Sequence, residues 1–145
     1  MSVWPFGPRG RLGRPGFRRW GQGPGERGEQ SGDAAHRGIV DVLEVPERDR
    51  FQVITEHDAD HIIALDAGLG FERTDQLVMI QIFTQAGRTT EVKQQLFRTI
   101  AKQLEPLGIA GEDVFIGIIE NGPQDWSFGF GRAQYVEGDL AVPGR

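Results

Sequence analysis

The fold is decided by residues 77–104, which read LVMIQIFTQAGRTTEVKQQLFRTIAKQL. Residues 77–83 form a nearly continuous apolar run, which is typical of a parallel strand that other layers cover. From Val92 to Leu104 apolar residues recur every four positions, which is the stripe of an amphipathic helix. Thr89 is a suitable N-cap for that helix. The stretch therefore predicts a strand, a Gly-Arg turn and a helix.

A second strand is predicted at residues 114–119, which read VFIGII. Gly108 lies where the preceding helix should stop, because glycine adopts the left-handed conformation that ends helices. Strand, helix and strand in this order form a βαβ unit, whose crossover should be right-handed. The sequence therefore predicts the α/β (α+β) fold class.

A weak internal repeat extends this interpretation upstream. Residues 36–43 carry the apolar stripe of a helix that Pro46 ends, residues 51–55 alternate as a strand, and residues 62–65 form a further short strand. Residues 39–54 resemble residues 100–116 in order, since both contain a helix end, an acidic turn and a strand. We therefore predict a tandem βαβ fold in which the first strand and the helix start are missing or replaced.

Residues 1–32 differ from the rest of the chain. They are dominated by Gly, Arg and Pro, their apolar residues match no helical or strand period, and we expect them to be disordered. Two origins are open: a shifted reading frame or wrongly chosen start in a GC-rich gene, and a native disordered arm. The predicted organisation is a disordered segment at 1–32 and one domain at 33–145.

Charge and composition exclude several classes of protein. Residues 1–32 hold six arginines and two glutamates, whereas the remainder holds ten Lys/Arg and nineteen Asp/Glu, so the domain is not a nucleic-acid surface. The absence of cysteine excludes disulfides and thiolate metal sites. No apolar run is long enough to span a membrane and no secretory signal is present, so the predicted compartment is the cytoplasm.

Three loop motifs carry a resemblance to a known family. Residues 125–135 read DWSFGFGRAQY, and this mixture of aromatic residues, glycines and an arginine predicts a pocket wall. Together with QAGRTTE at 85–91 and VPERDRF at 45–51, the loop resembles the tautomerase superfamily, in the branch that contains malonate semialdehyde decarboxylase. The resemblance covers residues 33–140.

The resemblance implies a 4-oxalocrotonate tautomerase-like fold, a homotrimer, and proton transfer on a small oxo-carboxylic acid without a cofactor. It also implies a catalytic N-terminal proline, whose free amine titrates near the working pH. This chain begins Met1-Ser2, so we expect that amine to be absent and the activity of the chain as written to be impaired.

Arg88 and Asp49 are the predicted catalytic residues. Arg88 follows the Gly87 turn at a helix start, where a guanidinium can hold a substrate carboxylate with two hydrogen bonds. The resemblance implies that Asp49 orients water or polarises a carbonyl-bearing substrate. A solvated turn arginine and a turn-forming or charge-paired aspartate are the alternatives.

Five further residues are predicted to bind the substrate. Gln85 stands where the decarboxylase carries an arginine, and one extra residue lengthens the turn, which favours tautomerisation over decarboxylation. Trp126 and Phe128 are predicted to form the pocket wall. Tyr135 and Leu140 align with apolar contacts of the family, although packing in the core is the favoured role for both.

No metal site is expected. Asp58, Asp60 and His61 crowd a polar turn and lack a spaced partner. The predicted function is therefore a tautomerase that acts on a small carboxylate. Two alternatives are a malonate semialdehyde decarboxylase-like enzyme, and a catalytically dead member whose basic segment at 1–32, with its aromatic residues, binds RNA or another polyanion.

Overall fold

The computed structural model describes residues 25–142. The regular elements are α1 (Glu26–Leu43), β1 (Val78–Gln85), α2 (Thr90–Leu104), β2 (Val114–Asn121) and α3 (Gln134–Glu137). Expectations about residues 1–24, including their disorder, their origin and polyanion binding, lie outside the described residues. Across residues 25–142, no helix is both long enough and apolar enough to cross a membrane.

The predicted βαβ unit is confirmed. β1 and β2 pair in parallel, with Val78 opposite Val114 at the start of the ladder. Thr89 caps α2, since its hydroxyl accepts a hydrogen bond from the Val92 N–H at 3.4 Å. Gly108 ends the turn after α2 with a φ of 77°. Local sequence signals therefore decide this half of the fold.

The core lies between one face of the sheet and the two long helices. Its buried members come from α1, β1, α2 and the turn after α2: Ala34, Ala35, Ile80, Ile82, Leu96, Ile100, Leu104 and Ile109. Because strand side chains alternate, the odd-numbered residues of β1 and β2 face the other way. Met79 and Phe115 are each 48% exposed on that opposite face. Among residues 25–142, the helices therefore cover the sheet on one face only.

Helix α1 begins ten residues earlier than predicted, at Glu26 rather than His36. The expected disorder is therefore wrong for residues 26–32, and the domain boundary predicted after residue 32 falls inside α1. Glycines hid the helix, because each disfavours a helix interior by about 1 kcal/mol. One of the glycines in the missed part packs closely, since a Cβ at Gly32 would lie 2.6 Å from Ile54 Cδ1.

The strands predicted at 51–55 and 62–65 are wrong for this chain in isolation. Within the described residues, the only sheet is the β1–β2 pair, so neither segment has a ladder partner. The first segment is held against α1 instead, by a 2.9 Å hydrogen bond from Gln52 Nε2 to the Gly32 carbonyl. Alternating apolar residues signal extended backbone, but they do not specify which strand will pair with it.

Candidate active site

A pocket of about 100 Å³ opens at the carboxyl ends of the two strands, between α1, the segment at 45–52 and the loop at 126–135. Six of the seven predicted site residues line it: Asp49, Gln85, Arg88, Trp126, Phe128 and Tyr135. Parallel strands place ligands at this end of the sheet in many α/β proteins. Residues that are far apart in sequence therefore meet in one cavity.

Leu140 is the predicted site residue that the structure does not place in the pocket. Its side chain is 44% exposed. Its N–H donates to the Gln134 carbonyl at 3.2 Å, at the end of α3. An apolar side chain can face either the pocket or the surface, so the residue type of Leu140 did not reveal where it would lie after α3.

Arg88 brings a cation to the pocket. Its Nη1 donates to the Gln85 carbonyl at 2.8 Å, which fixes the guanidinium beside the end of β1. Burial lowers the pKa of Arg88, while Glu120, Tyr135 and Asp49 act in the opposite direction. An arginine remains charged despite such a shift. No carboxylate among residues 25–142 forms an ion pair with it within 4.0 Å, so it is free to receive an anionic ligand.

Two buried donors lie in the same pocket. Gln85 is only 4% exposed. Its Nε2 and the Nε1 of Trp126 are buried and have no partner at hydrogen-bond distance and angle among the described residues, although the Gln85 side chain is oriented so that it lowers the pKa of Tyr135 as a weak donor. Leaving such a group unpaired costs about 1–3 kcal/mol. A ligand that brings oxygen acceptors into the pocket would offset this cost.

Aromatic rings form the opposite wall of the pocket. Phe128 stacks on Trp126 at a centroid distance of 5.7 Å and an interplanar angle of 3°. It also contacts Phe51, at 5.6 Å, and meets Tyr135 edge-on at 5.1 Å. Such pairs are stabilising beyond the area they bury. Tyr135 is thus packed against the wall and also faces the cavity, although core packing alone was the favoured role.

The Tyr135 hydroxyl is held in its protonated form. Burial is the largest cause that raises the pKa of Tyr135, and the negative charge of Asp49 raises it further. Arg88 and the side chain of Gln85 oppose that effect. Tyr135 is the only tyrosine in the chain. The pocket therefore contains a phenol that is protonated at neutral pH and can donate a hydrogen bond.

Asp49 lies on a turn that precedes the segment at 51–55. Its backbone N–H donates to the Pro46 carbonyl at 2.8 Å, which closes the turn. The neighbouring Arg50 pairs with Asp33 at 2.7 Å rather than with Asp49. Within the described part of the chain, the Asp49 carboxylate has no hydrogen bond or ion pair. It lines the same pocket as Arg88, on which its charge acts without a direct ion pair.

Sequence reasoning missed four polar residues that line the pocket: Arg50 and Gln52, which lie close to Asp49 in sequence, and the more buried His36 and Thr84. His36 on α1 is 8% exposed, and its Nε2 lies 2.9 Å from the Glu47 carbonyl oxygen. Thr84 near the end of β1 is also 8% exposed. A histidine at the start of an apolar helical stripe, and a threonine that ends an apolar strand, were the signals available for them.

The acidic cluster set aside in the sequence analysis lies elsewhere on the surface. Possible ligand atoms of Asp58, Asp60 and His61 lie within 4.8 Å of one another, and all three residues are exposed. His61 Nδ1 is 3.3 Å from Asp60 Oδ1. None of the three lines the aromatic pocket. We assign no role to the cluster.

Comparison with known proteins supplies the context for this pocket. The profile of the Tautomerase enzyme family matches residues 49–129. The probable tautomerase YrdN of Bacillus subtilis (strain 168) is 44% identical over 109 residues, which make up 74% of this chain and 84% of that protein.

Two solved structures share the fold. A crystal structure of FG41 malonate semialdehyde decarboxylase inhibited by 3-bromopropiolate is 57% identical, with a TM-score of 0.80 over 83% of this chain and 92% of that chain. A second malonate semialdehyde decarboxylase structure is 34% identical, with a TM-score of 0.73 over 79% of this chain and 89% of that chain. The predicted α+β fold class is confirmed.

Proposed function

We propose that this chain, which belongs to the tautomerase family as its motifs predicted, is an enzyme. Its proposed reaction is the decarboxylation of a small 3-oxo acid, with malonate semialdehyde as the first substrate to test. The observation that supports this most strongly is the 57% identity to a malonate semialdehyde decarboxylase over 92% of that chain. We give this identity more weight than the presence of Gln85, from which the sequence analysis favoured tautomerisation. The proposed reaction needs no cofactor, and the cytoplasm remains the predicted compartment.

The size and polarity of the pocket support a small anionic substrate. Its volume of about 100 Å³ is below the roughly 300–1,000 Å³ of pockets that hold drug-sized ligands. Arg88 supplies a positive charge, and Gln85 and Trp126 supply buried N–H donors. In this proposal one oxygen-rich end of the substrate accepts from these donors, and the aromatic wall covers the carbon chain.

Decarboxylation of a 3-oxo acid requires an electron sink at the oxo oxygen. The bond between the carboxylate carbon and C2 breaks, CO₂ leaves, and the electron pair forms an enolate whose charge lies largely on the oxo oxygen. A donor directed at that oxygen stabilises the developing charge, which typically lowers the barrier by about 3–4 kcal/mol. We assign this role to the Tyr135 hydroxyl, because it lines the pocket and a phenol is protonated at neutral pH.

The enolate must then take up a proton at C2 to give the aldehyde. We assign Asp49 to orient the water molecule that supplies this proton, and the hydroxide left behind is neutralised by a proton from bulk solvent, so that one proton is consumed in each turnover. Its carboxylate lines the pocket and forms no hydrogen bond or ion pair with any other described residue. A carboxylate in this setting accepts a hydrogen bond from water and directs the other water proton toward the substrate.

The deciding experiment incubates the purified full-length chain with malonate semialdehyde and measures CO₂ together with acetaldehyde. Equal release of both products supports the proposal. Acetoacetate, a 3-oxo acid with one more methyl group, tests whether the small pocket selects by length. Because the chain as written is expected to be impaired by about 10²–10⁴-fold, absence of both products at enzyme concentrations raised by that factor over those that suffice for the related decarboxylase would overturn the proposal.

Keto–enol tautomerisation is the second candidate, because the 44% identical relative is described as a probable tautomerase. The same donors would stabilise an enolate formed by removal of a proton from carbon, with Asp49 as the base. Conversion of enol-phenylpyruvate to the keto form, followed by its ultraviolet absorbance, tests it. Tautomerisation without any CO₂ release from 3-oxo acids would favour this function over decarboxylation.

We also propose that the enzyme is a homotrimer. The sheet face away from the helices exposes Met79 and Phe115, each 48%, and Ile119, 41%. An apolar face of this kind marks an interface between chains in many proteins. Light scattering coupled to size-exclusion chromatography should give three times the 16.1 kDa mass of one chain. A monomeric mass at micromolar concentration would contradict this assembly.

A further inference from the structure

We infer that His36 is a positioning residue, which sets where the Asp49 carboxylate lies in the pocket. Its effect on catalysis rests on the proposed function, whereas its effect on the position of Asp49 does not. His36 is buried on α1, and its Nε2 lies 2.9 Å from the Glu47 carbonyl oxygen. Because a carbonyl only accepts, the ring must carry a proton on Nε2.

The segment that carries Asp49 has no helix or strand of its own. Residues 44–52 lie between the end of α1 and the extended segment that follows. Their own main hydrogen bond is the turn from the Asp49 N–H to the Pro46 carbonyl, at 2.8 Å. The Glu47 carbonyl lies within this turn. The His36 ring therefore attaches the turn to α1 two residues before Asp49.

Two other bonds tie the same segment to α1, and both come from side chains that are more exposed than His36. Arg50 Nη2 donates to Asp33 Oδ1 at 2.7 Å across a surface where both side chains are more than one-third exposed. Gln52 Nε2 donates to the Gly32 carbonyl at 2.9 Å. Exposed ion pairs contribute little to stability. His36 is thus the most buried of the three side chains that attach the segment to α1, and it does so through the backbone of the turn that carries Asp49.

Tyr135 offers a direct measurement of where Asp49 lies. The negative charge of Asp49 raises the pKa of Tyr135, after burial and alongside the opposing effects of Arg88 and Gln85. Tyr135 is the only tyrosine, so its titration can be followed by the ¹³Cζ resonance without assignment. A displacement of Asp49 away from the phenol will lower the pKa of Tyr135 whether or not any substrate is turned over.

The experiment compares His36→Met, which fills the space without a donor, with His36→Gln, whose amide can still donate to the Glu47 carbonyl. We expect His36→Met to lower the Tyr135 pKa to the value found in Asp49→Asn, and His36→Gln to restore the original value. An unchanged Tyr135 pKa in a folded His36→Met protein would overturn the inference. If His36→Met does not fold, His36→Asn, which is too short to reach the carbonyl, takes its place.

The catalytic consequence is tested by a double-mutant cycle. We expect His36→Met to lower kcat about tenfold or more with little change in KM, since small displacements of catalytic groups are costly. In the Asp49→Asn background the same change should cost nothing further. Equal losses in both backgrounds would show that His36 acts on the fold in general. An inactive wild-type enzyme would reject the proposed function while leaving the Tyr135 titration valid.

Discussion

The ring of Tyr135 meets the ring of Phe128 edge-on, at a centroid distance of 5.1 Å and an interplanar angle of 90°. This contact fixes a phenol in a wall that is otherwise apolar. The hydroxyl lies in the same pocket as Asp49, Gln85 and Arg88. The pocket therefore combines a proton donor, an anion, an amide and a cation around a small space.

The first prediction concerns that hydroxyl. Tyr135→Phe keeps the edge-on contact and removes the donor, so it should lower kcat about 10²-fold while the melting temperature barely changes. Steady-state kinetics with malonate semialdehyde and a thermal melt measure the two quantities. Val136→Ala, a change at the neighbouring exposed residue, serves as the control. A fall in melting temperature as large as that of Phe128→Ala would assign Tyr135 to packing alone.

The second prediction concerns Arg88. Arg88→Ala should lose a charge-assisted hydrogen bond to the substrate carboxylate, worth about 1.5–3 kcal/mol, or roughly 10- to 150-fold in kcat/KM. Arg88→Lys should restore part of this loss, because a point charge cannot form two parallel hydrogen bonds. Arg98→Ala, which removes the same charge from an exposed position on α2, is the matched control.

A substrate comparison separates binding from structure at Arg88. Binding of malonate should weaken in Arg88→Ala, whereas binding of the uncharged malonamide should change little, because only the former carries an anion. Isothermal titration measures both affinities. Equal weakening for the two ligands would mean that the bond from Arg88 to the Gln85 carbonyl, 2.8 Å long, holds the turn and has no role in recognition.

Much of the fold could be predicted because it depends on local signals. The apolar run of β1, the four-residue period of α2 and the Thr89 cap each specify their own structure. The start of α1 could not be predicted, because Gly32 interrupts its sequence pattern and packs against Ile54, 22 positions further along the chain. The strand predictions for residues 51–55 and 62–65 were wrong for a similar reason, since a strand forms only where a second strand is available to pair with it.

The same distinction between local signals and long-range contacts applies to the site residues. Motif residues such as Asp49, Arg88 and Trp126 were found because the family resemblance marks them, and the structure brings them to one cavity. His36 carries no motif, and its importance comes from one hydrogen bond to a backbone carbonyl 11 residues away. Leu140 carries a motif position, yet it lies outside the cavity. The place of each residue in the fold, which its residue type does not reveal, explains why His36 was missed and why Leu140 was wrongly assigned to the site.

The third prediction tests the close packing of α1 on α2. Gly38→Ala should destabilise the protein by about 1–3 kcal/mol, because the new Cβ would lie 2.8 Å from Ile100 Cγ1 and overpacking exceeds the gain in helix propensity. Urea unfolding measures the change. Arg37→Ala, at the adjacent exposed position, should be nearly neutral. A stabilised Gly38→Ala protein would show that α1 can move away from α2 without cost.

The fourth prediction follows from the raised pKa of Tyr135. A phenol whose pKa is higher in the folded state binds its proton more tightly there than in the unfolded chain, where the pKa is about 10. Its contribution to stability is therefore complete below about pH 10 and is lost as the pH rises through the folded value. Tyr135→Phe should remove this part of the alkaline loss, and Asp49→Asn should shift it toward lower pH, because Asp49 is one of the charges that raise the pKa. Urea unfolding of the three proteins between pH 8 and 11 measures the effect, and superimposable pH profiles would contradict an interaction between Asp49 and the phenol.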